Sequence, residues 1–451
     1  MIRDAWQAAL LAGFLSAGGL AIPPLVNAQA TIPGAPIVTL VEARRRATSV
    51  DPDAVAARGH VEIAVWERRT AMTDLLTPNV TAGVSYIHFS DPFFNFGTGS
   101  ISPNATSAIL QGSYAVLGTG KFGELRRSRA SIDNAEASEM AARFRTAFAA
   151  DAAYFAVLAD RDLSRVAADR LRRAEEQFGV ARVRVLAGEA IAPDSLQLLL
   201  ELNRARLEIL RADSALSTSR LRLGRQIGLA GPAEAAPVDT AMPPPLPLSQ
   251  EDAVNQMRAR GPEIAAARAA ERGADAALLA ARERYLPEIT LGATTGAYDA
   301  ELFPSALKRT QYAVGIALPI WNGGQRELAV ARARVARRTA QSERRERERA
   351  AGEAMAETFH GYQTARAAIE LATVSVAVAA ENYRVQGARY REGETTILEL
   401  LEAQLALSES EGTLVRARFA ARLALAQIET LLGRRLFEAD NESNRPLRQD
   451  R

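Results

Sequence analysis

The chain has 451 residues, of which 48% are hydrophobic and 24% are charged, a balance that excludes a wholly disordered or collagen-like protein. It contains no cysteine, which excludes disulfides, thiolate metal sites, cysteine nucleophiles and lipid anchors on cysteine. Three widely separated histidines and a formal net charge of +2 argue against a histidine-rich metal centre and against a nucleic-acid partner.

The first thirty residues have the pattern of a secretory signal peptide. Arg3 provides the positive charge, an apolar run extends over residues 8–20, and Ala28-Gln29-Ala30 has the A-x-A form of a cleavage site. A buried N-terminal helix is the alternative interpretation. No later stretch is long and apolar enough for a membrane-spanning helix, so entry into a membrane would require β-strands.

The plan of the chain repeats at an offset of about 205–210 residues, which predicts two copies of one unit. The matching anchors include Pro52 with Pro262, Gly120-Lys121 with Gly324-Gln325, and Gly188-Glu189 with Gly393-Glu394. We therefore predict a signal peptide (1–30), a first repeat (31–230), a Pro-rich linker (231–248), a second repeat (249–437) and a disordered tail (438–451).

Within each repeat the predicted elements follow one order: an opening helix, two strand-like runs, a very long helix, a break at glycine and a return helix. The helices are predicted over residues 40–76, 124–186 and 193–227 of the first repeat, and 250–285, 325–391 and 397–432 of the second. At 1.5 Å per residue the long helices would each reach about 95–100 Å. Helices of this length normally pack as coiled coils or long bundles.

The strand-like runs alternate large apolar residues with small or polar ones, as residues 80–86, 289–297 and 312–320 show. This pattern favours outer-membrane strands over the alternative, a sheet packed on a protein core. Four strands cannot close a barrel, and open edges in lipid would leave backbone groups unpaired. Three chains would supply twelve strands. The predicted fold is thus mainly α with β: long antiparallel coiled-coil helices plus four strands per chain of a shared twelve-stranded trimeric β-barrel.

Motifs at the ends of these elements resemble those of the TolC family of outer-membrane efflux and secretion channels. They are Tyr285-Leu286-Pro287 before a strand, Leu318-Pro319-Ile320-Trp321-Asn322-Gly323-Gly324 after one, and Tyr390-Arg391-Glu392-Gly393 followed by residues 397–404. The resemblance covers about residues 36–436. The first repeat departs from the pattern at its strand exit, where it reads Leu117-Gly118-Thr119-Gly120-Lys121.

The resemblance implies a homotrimer with a barrel in the outer membrane, in contact with its lipid, and a helical tunnel in the periplasm. It also implies two protein partners, a periplasmic adaptor (membrane fusion) protein and an inner-membrane transporter of the RND, ABC or MFS type. The expected role is a passive exit duct of a tripartite efflux or type I secretion system. We expect no catalytic residues, metal or cofactor.

An acidic pair near the start of the last helix is the first candidate site. Glu399 and Glu402 lie three residues apart, on the helix face opposite the leucine-rich one. An ordinary solvated face is the alternative interpretation. The resemblance implies that the pair faces the pore at the periplasmic entrance, where three chains would form a ring of carboxylates that favours cations.

Four further residues receive roles from the resemblance alone. Tyr390 and Asp194 match a gate contact, expected as a hydrogen bond between phenol and carboxylate. Gly188 and Gly393 match the tips that face the adaptor. Where some family members have a gate arginine, this chain has Thr395. Without the resemblance, Asp194 is a helix-start residue and the glycines are turn residues.

Two other functions remain open at this point. A soluble periplasmic coiled-coil scaffold or adaptor would explain the long helices but not the alternating strands. A periplasmic hydrolase would need a nucleophile–base pattern, which the sequence does not offer. The arginine-rich run 337–349 is interpreted as an exposed coiled-coil face, with a docking patch as the alternative.

Overall fold

The computed structural model describes residues 35–95, 99–117, 120–186, 192–238, 242–300, 307–318 and 320–437. The predicted signal peptide, the predicted tail and Gly188 lie outside these ranges. The division into repeats, linker and tail stays a prediction.

The described residues form eight helices and six strands in two similar series. They are β1 (Ile37–Val38), α1 (Leu40–Val50), α2 (Pro52–Leu76), β2 (Asn79–Asn95), β3 (Ser100–Leu117), α3 (Lys121–Leu186), α4 (Ala192–Gln226), β4 (Glu234–Ala235), α5 (Gln250–Arg260), α6 (Pro262–Glu283), β5 (Glu288–Asp299), β6 (Leu307–Ala317), α7 (Gln325–Glu392) and α8 (Ile397–Leu432). With 66 and 68 residues, α3 and α7 are each about 100 Å long.

The opening helix of each series is broken once, which corrects the prediction of continuous helices over 40–76 and 250–285. At the first break the side chain of Asp51 accepts hydrogen bonds from the backbone N–H groups of Asp53 and Ala54, and Pro52 begins the next helix. Proline is tolerated there because the first helical residue needs no hydrogen-bonded N–H. At the second break, Pro262 begins α6 directly after Gly261. A Cβ atom added at Gly261 would lie only 2.5 Å from the carbonyl oxygen of Met257, so a side chain does not fit there without a shift of the backbone.

The four longer strands form one antiparallel sheet in the order β2-β3-β5-β6. Its first hairpin is long: β2 continues to Asn95, well beyond the predicted run 80–86, and β3 begins at Ser100. In the second hairpin Leu291 lies opposite Val314. One face of the sheet carries the large apolar side chains and is open to the surroundings; Tyr312, for example, is 81% exposed. The predicted alternation is confirmed.

The helices lie side by side in a single layer below the sheet. In the half next to the sheet the order is α2–α3–α6–α7, and in the far half it is α4–α3–α8–α7. The two long helices therefore run the whole length, and the shorter helices fill the spaces beside them. One lateral edge of the chain consists of β2, α2 and α4, and the other of β6 and α7.

Extended chain crosses one face of this layer near its middle. We call it the belt; it consists of β1, β4 and the linker residues around Ala236 and Pro244. Strands β1 and β4 pair in parallel. The hydroxyl of Tyr154 on α3 donates to the carbonyl oxygen of Ala236, and that of Tyr362 on α7 donates to Pro244, both at 2.6 Å. Both tyrosines are buried in the main hydrophobic clusters. The belt thus fixes the linker to both long helices.

Candidate functional site

The predicted site residues that the structure describes meet at the end of the molecule farthest from the sheet. There the last turns of α3 and α7 adjoin the first turns of α4 and α8. A buried apolar cluster holds these four helix ends together; it contains Ala181, Leu198, Tyr390, Ile397 and Leu400. The cluster contains Tyr390 and joins the helix ends that carry Asp194, Glu399 and Glu402, whose roles stay predictions.

Tyr390 occupies the centre of this end and is 5% exposed. Its hydroxyl is buried and finds no hydrogen-bond partner among the described residues. Burial raises the pKa of the Tyr390 phenol above its ordinary value, the negative charge of Asp194 raises this pKa further, and the positive charge of Arg184 partly offsets the rise. Asp194 is therefore close enough to act on the phenol electrostatically.

The hydrogen bond expected between Tyr390 and Asp194 is not formed in the structure. Asp194 lies in the first turn of α4, where a carboxylate is favoured by the positive end of the helix dipole. The Tyr390 ring instead packs into the apolar cluster. The role of the pair as a gate contact stays a proposal, resting on proximity and charge.

Arg184 is the residue at this end that sequence reasoning missed. It lies in the last turn of α3, and its Nη1 atom donates to the backbone carbonyl oxygen of Tyr390 at 2.7 Å. Its guanidinium carbon also lies 5.4 Å from the centre of the Tyr390 ring. A cation is favourable here because the C-terminus of α7 is the negative end of the helix dipole.

The acidic pair lies on an exposed face of α8, as predicted, while Leu400 on the opposite side is buried. The two carboxylates differ in their surroundings. Glu399 takes part in the helix start: its backbone N–H donates to the hydroxyl of Thr396, and its carboxylate accepts from Thr395. Glu402 has no side-chain partner within the described part of the chain. Of the two carboxylates, that of Glu402 is therefore the less constrained.

Two buried glutamines, Gln177 on α3 and Gln404 on α8, each lie one helical turn from the link between Arg173 and Ser408. Gln177 donates from Nε2 to the Tyr383 hydroxyl at 2.9 Å, but its Oε1 has no partner. Gln404 is 1% exposed, and neither of its amide atoms is hydrogen-bonded. Buried polar groups without partners are costly, so these two side chains are a weak point of the packing.

Gly393 ends α7 with a φ of 79° and a ψ of 12°, in the left-handed region. Its N–H donates to the carbonyl oxygen of Tyr390, and the N–H of Glu394 donates to that of Arg389. This is the Schellman arrangement, in which glycine avoids the strain that a side chain would cause. Gly393 is thus a turn residue at the tip, and its role in facing an adaptor stays a proposal, as does that of Gly188.

The described residues contain no group of three or more His, Asp or Glu arranged to hold a metal ion. In the same ranges, each helix is too short or too polar to cross a lipid bilayer.

Residues 253–434 match the sequence profile of the outer membrane efflux protein family. The fold matches the CmeC outer membrane channel of Campylobacter jejuni, with 17% identity, a TM-score of 0.77 and coverage of 89% of this chain and 87% of that one. It also matches the open state of the MtrE outer membrane channel of Neisseria gonorrhoeae, with 20% identity, a TM-score of 0.75 and coverage of 88% and 89%. The outer membrane protein VceC of Vibrio cholerae matches with 17% identity and a TM-score of 0.75, and the match covers 88% of this chain and 96% of that one.

No curated protein sequence matches the chain significantly. The matched profile and the shared fold agree with the motifs quoted from the sequence. The second half of the chain thus matches the outer membrane efflux protein family, and the chain shares the fold of these outer membrane channels over about nine-tenths of its length.

Proposed function

We propose that the chain is one of three identical subunits of an outer-membrane exit duct, a passive conduit through which cargo leaves the periplasm. The observation that carries this proposal is the pair of complementary edges. Strands β2 and β6 each lack a neighbour on one side within the described sheet, and the helices below them, α2 and α7, are also at the edges.

Both helical edges expose apolar side chains that a second copy would cover. On α4 these include Leu196, Leu207 and Leu210, and on the lower part of α7 they include Leu371 and Val378. Joining β6 of one copy to β2 of the next would satisfy the free strand edges. Three copies supply twelve strands, an even number that suits an outer-membrane barrel.

The apolar face of the sheet then meets lipid, and the layer of helices becomes the wall of a tunnel in the periplasm. The belt lies outside this wall, because on the inside it would obstruct the lumen. A periplasmic adaptor and an inner-membrane transporter would dock at the far end, near Gly393, and supply the energy. Arg184, bound to the backbone carbonyl oxygen of Tyr390, holds the entrance closed beside Asp194, and Glu399 and Glu402 form the acidic ring.

Conductance through planar lipid bilayers tests the proposal. The protein extracted from carbonate-washed outer membranes is expected to form discrete channels with a preference for cations. Recovery in the soluble periplasmic fraction, without channel activity, would favour the alternative of a coiled-coil scaffold or adaptor.

A further inference from the structure

The helical segments directly below the sheet form a strongly basic band. Residues 67–74, 121–133, 272–284 and 325–338 together contain fourteen Lys and Arg and seven Asp and Glu, a net charge of +7. The whole chain carries only +2, so the rest of the chain carries −5. The positive charge is therefore concentrated at one end of the helical layer, next to the sheet.

Within this band, five arginines line one groove between α3, α6 and α7; they are Arg126, Arg129, Arg272, Arg282 and Arg337. Two of them are neutralised, because Arg272 pairs with Asp133 at 2.8 Å and Arg337 pairs with Asp275 at 2.5 Å. The other three are exposed, and their side chains have no ion pair or hydrogen bond to any residue in the described ranges. The groove thus carries a surplus of positive charge.

The groove lies at the depth of lipid headgroups. Arg282 is six residues before the start of β5, and Arg126 is nine residues after the end of β3. Within the helices, Arg282 is one residue from the end of α6 and Arg126 is five residues from the start of α3, so both lie within about 8 Å of the helix ends that adjoin the sheet. At the same level, after β6, the apolar side chains of Ile320 and Trp321 are exposed, the latter by 77%. Exposed tryptophan beside an apolar strand is typical of a membrane–water interface.

The groove also opens on the outer side of the wall. Arg129 precedes Tyr154 by 25 residues, and Arg337 precedes Tyr362 by the same number, which is about seven helical turns in each case. Both arginines therefore lie on the helix face that carries the belt, and the proposed function places this face outside the tunnel. The positive charge of the groove, its position next to the sheet and its outward orientation are all those expected of a surface that faces lipid headgroups.

We propose that this groove binds the headgroups of anionic phospholipids in the periplasmic leaflet of the outer membrane. The guanidinium group suits this role because its planar fork can bind two phosphate oxygens at once. Basic side chains next to a membrane also attract anionic lipid collectively. The inference rests on the proposed outer-membrane placement.

Native mass spectrometry of the detergent-extracted particle tests the proposal, with phosphatidylglycerol and phosphatidylcholine added in equal amounts. We expect the wild type to retain phosphatidylglycerol at least about tenfold better, since each basic residue contributes to the attraction. The triple variant Arg126→Gln, Arg129→Gln, Arg282→Gln is expected to lose most of this preference. The matched control is Arg143→Gln, Arg345→Gln, Arg347→Gln, which removes the same charge outside the band and is expected to keep it.

The triple variant is also expected to keep the subunit number and the single-channel conductance of the wild type, so that failure of this inference is distinct from failure of the proposed function. Equal retention of phosphatidylglycerol by wild type and triple variant would overturn the inference. So would complete displacement of the lipid by millimolar inorganic phosphate, which would assign the groove to free anions. Loss of co-sedimentation with peptidoglycan, with lipid retention unchanged, would assign it to the cell wall instead.

Discussion

Arg184 at the end of α3 donates a hydrogen bond to the backbone carbonyl oxygen of Tyr390 at the end of α7, at 2.7 Å. The two residues are 206 positions apart and belong to the two halves of the chain. The contact therefore ties the long helices together at the end where the duct is proposed to close. Separation of these helix ends would require the hydrogen bond to break.

Replacing Arg184 with glutamine is expected to raise the leak through the resting duct. A hydrogen bond from a charged donor contributes about 1.5–3 kcal/mol, so its loss would shift the balance between closed and open entrances by roughly tenfold or more. Resting conductance in a planar bilayer measures this change.

The matched control for the gate is Tyr390→Phe. Because the Tyr390 hydroxyl has no partner among the described residues, its removal is expected to leave resting conductance unchanged. A leak in Tyr390→Phe but not in Arg184→Gln would mean that the phenol, and not the arginine, holds the entrance closed.

Neutralising the acidic pair is expected to weaken the preference for cations, and Glu402→Gln more than Glu399→Gln. The reason for the difference is that the Glu399 carboxylate already accepts a hydrogen bond from Thr395. The measurement is the reversal potential in a salt gradient. Glu353→Gln, an exposed change of the same charge on α7, serves as the control. Equally small shifts of the reversal potential in all three variants would show that Glu399 and Glu402 do not form an acidic ring in the pore.

Gln404→Leu is expected to stabilise the protein by about 1–3 kcal/mol, because it replaces two buried amide atoms that have no partners. The thermal midpoint of the particle measures the gain. Gln177→Leu is the comparison: it would also break the hydrogen bond to Tyr383 and is expected to give no gain. A lower midpoint for Gln404→Leu would show that the amide is satisfied in the assembled protein.

The fully buried side chain of Asp151 on α3 contacts one arginine from α1 and one that follows α8. Arg44 binds it at 2.6 and 3.0 Å, and Arg435 lies 3.6 Å away. Asp151→Asn is expected to destabilise the protein by about 3–5 kcal/mol, since it removes one partner of a buried ion pair. Glu381→Gln, which removes only an exposed pair with Arg384, is expected to leave the thermal midpoint within error.

We expect the protein to lose stability in alkaline solution because of Tyr154 and Tyr362, the two tyrosines that donate hydrogen bonds to the belt. Burial raises the pKa of Tyr154 and the pKa of Tyr362 above the ordinary value, and nearby arginines partly offset the rise. The folded state therefore keeps these protons at a pH where the unfolded chain releases them. Their contribution is constant below about pH 10 and is lost as the pH rises further.

Denaturant unfolding from pH 8 to pH 11.5 measures this effect. The variant Tyr154→Phe, Tyr362→Phe is expected to be less stable at pH 8, because two hydrogen bonds to the belt are lost, and to depend less on pH above 10. An identical pH dependence in wild type and variant would contradict the assignment.

The features that sequence predicted well depend on local patterns. The period of two in β6 predicted both the strand and its apolar face, because side-chain direction alternates along any strand. The helix over residues 397–432 was predicted to its ends, since Thr396 begins it and Gly433 follows it. The break at Asp51 was missed although Asp before Pro is a local helix-start signal, because the apolar pattern on either side was treated as one helix.

The features that sequence missed depend on contacts between distant residues. Nothing local distinguishes Arg184 from the other arginines of α3, and only the meeting of the helix ends at the far tip brings it to Tyr390. The two-residue strands β1 and β4 are likewise too short to have a pattern of their own. Gln404 was not singled out, because its burial follows from the position of α3 across α8.

The measurement that tests the central claim most directly is the mass of the particle extracted in detergent from washed outer membranes, by native mass spectrometry. The account predicts three copies of the mature chain, because the free edges at β2 and β6 require two neighbours for each chain. A monomer, or protein found only in the soluble periplasmic fraction, would contradict the shared barrel and with it the duct.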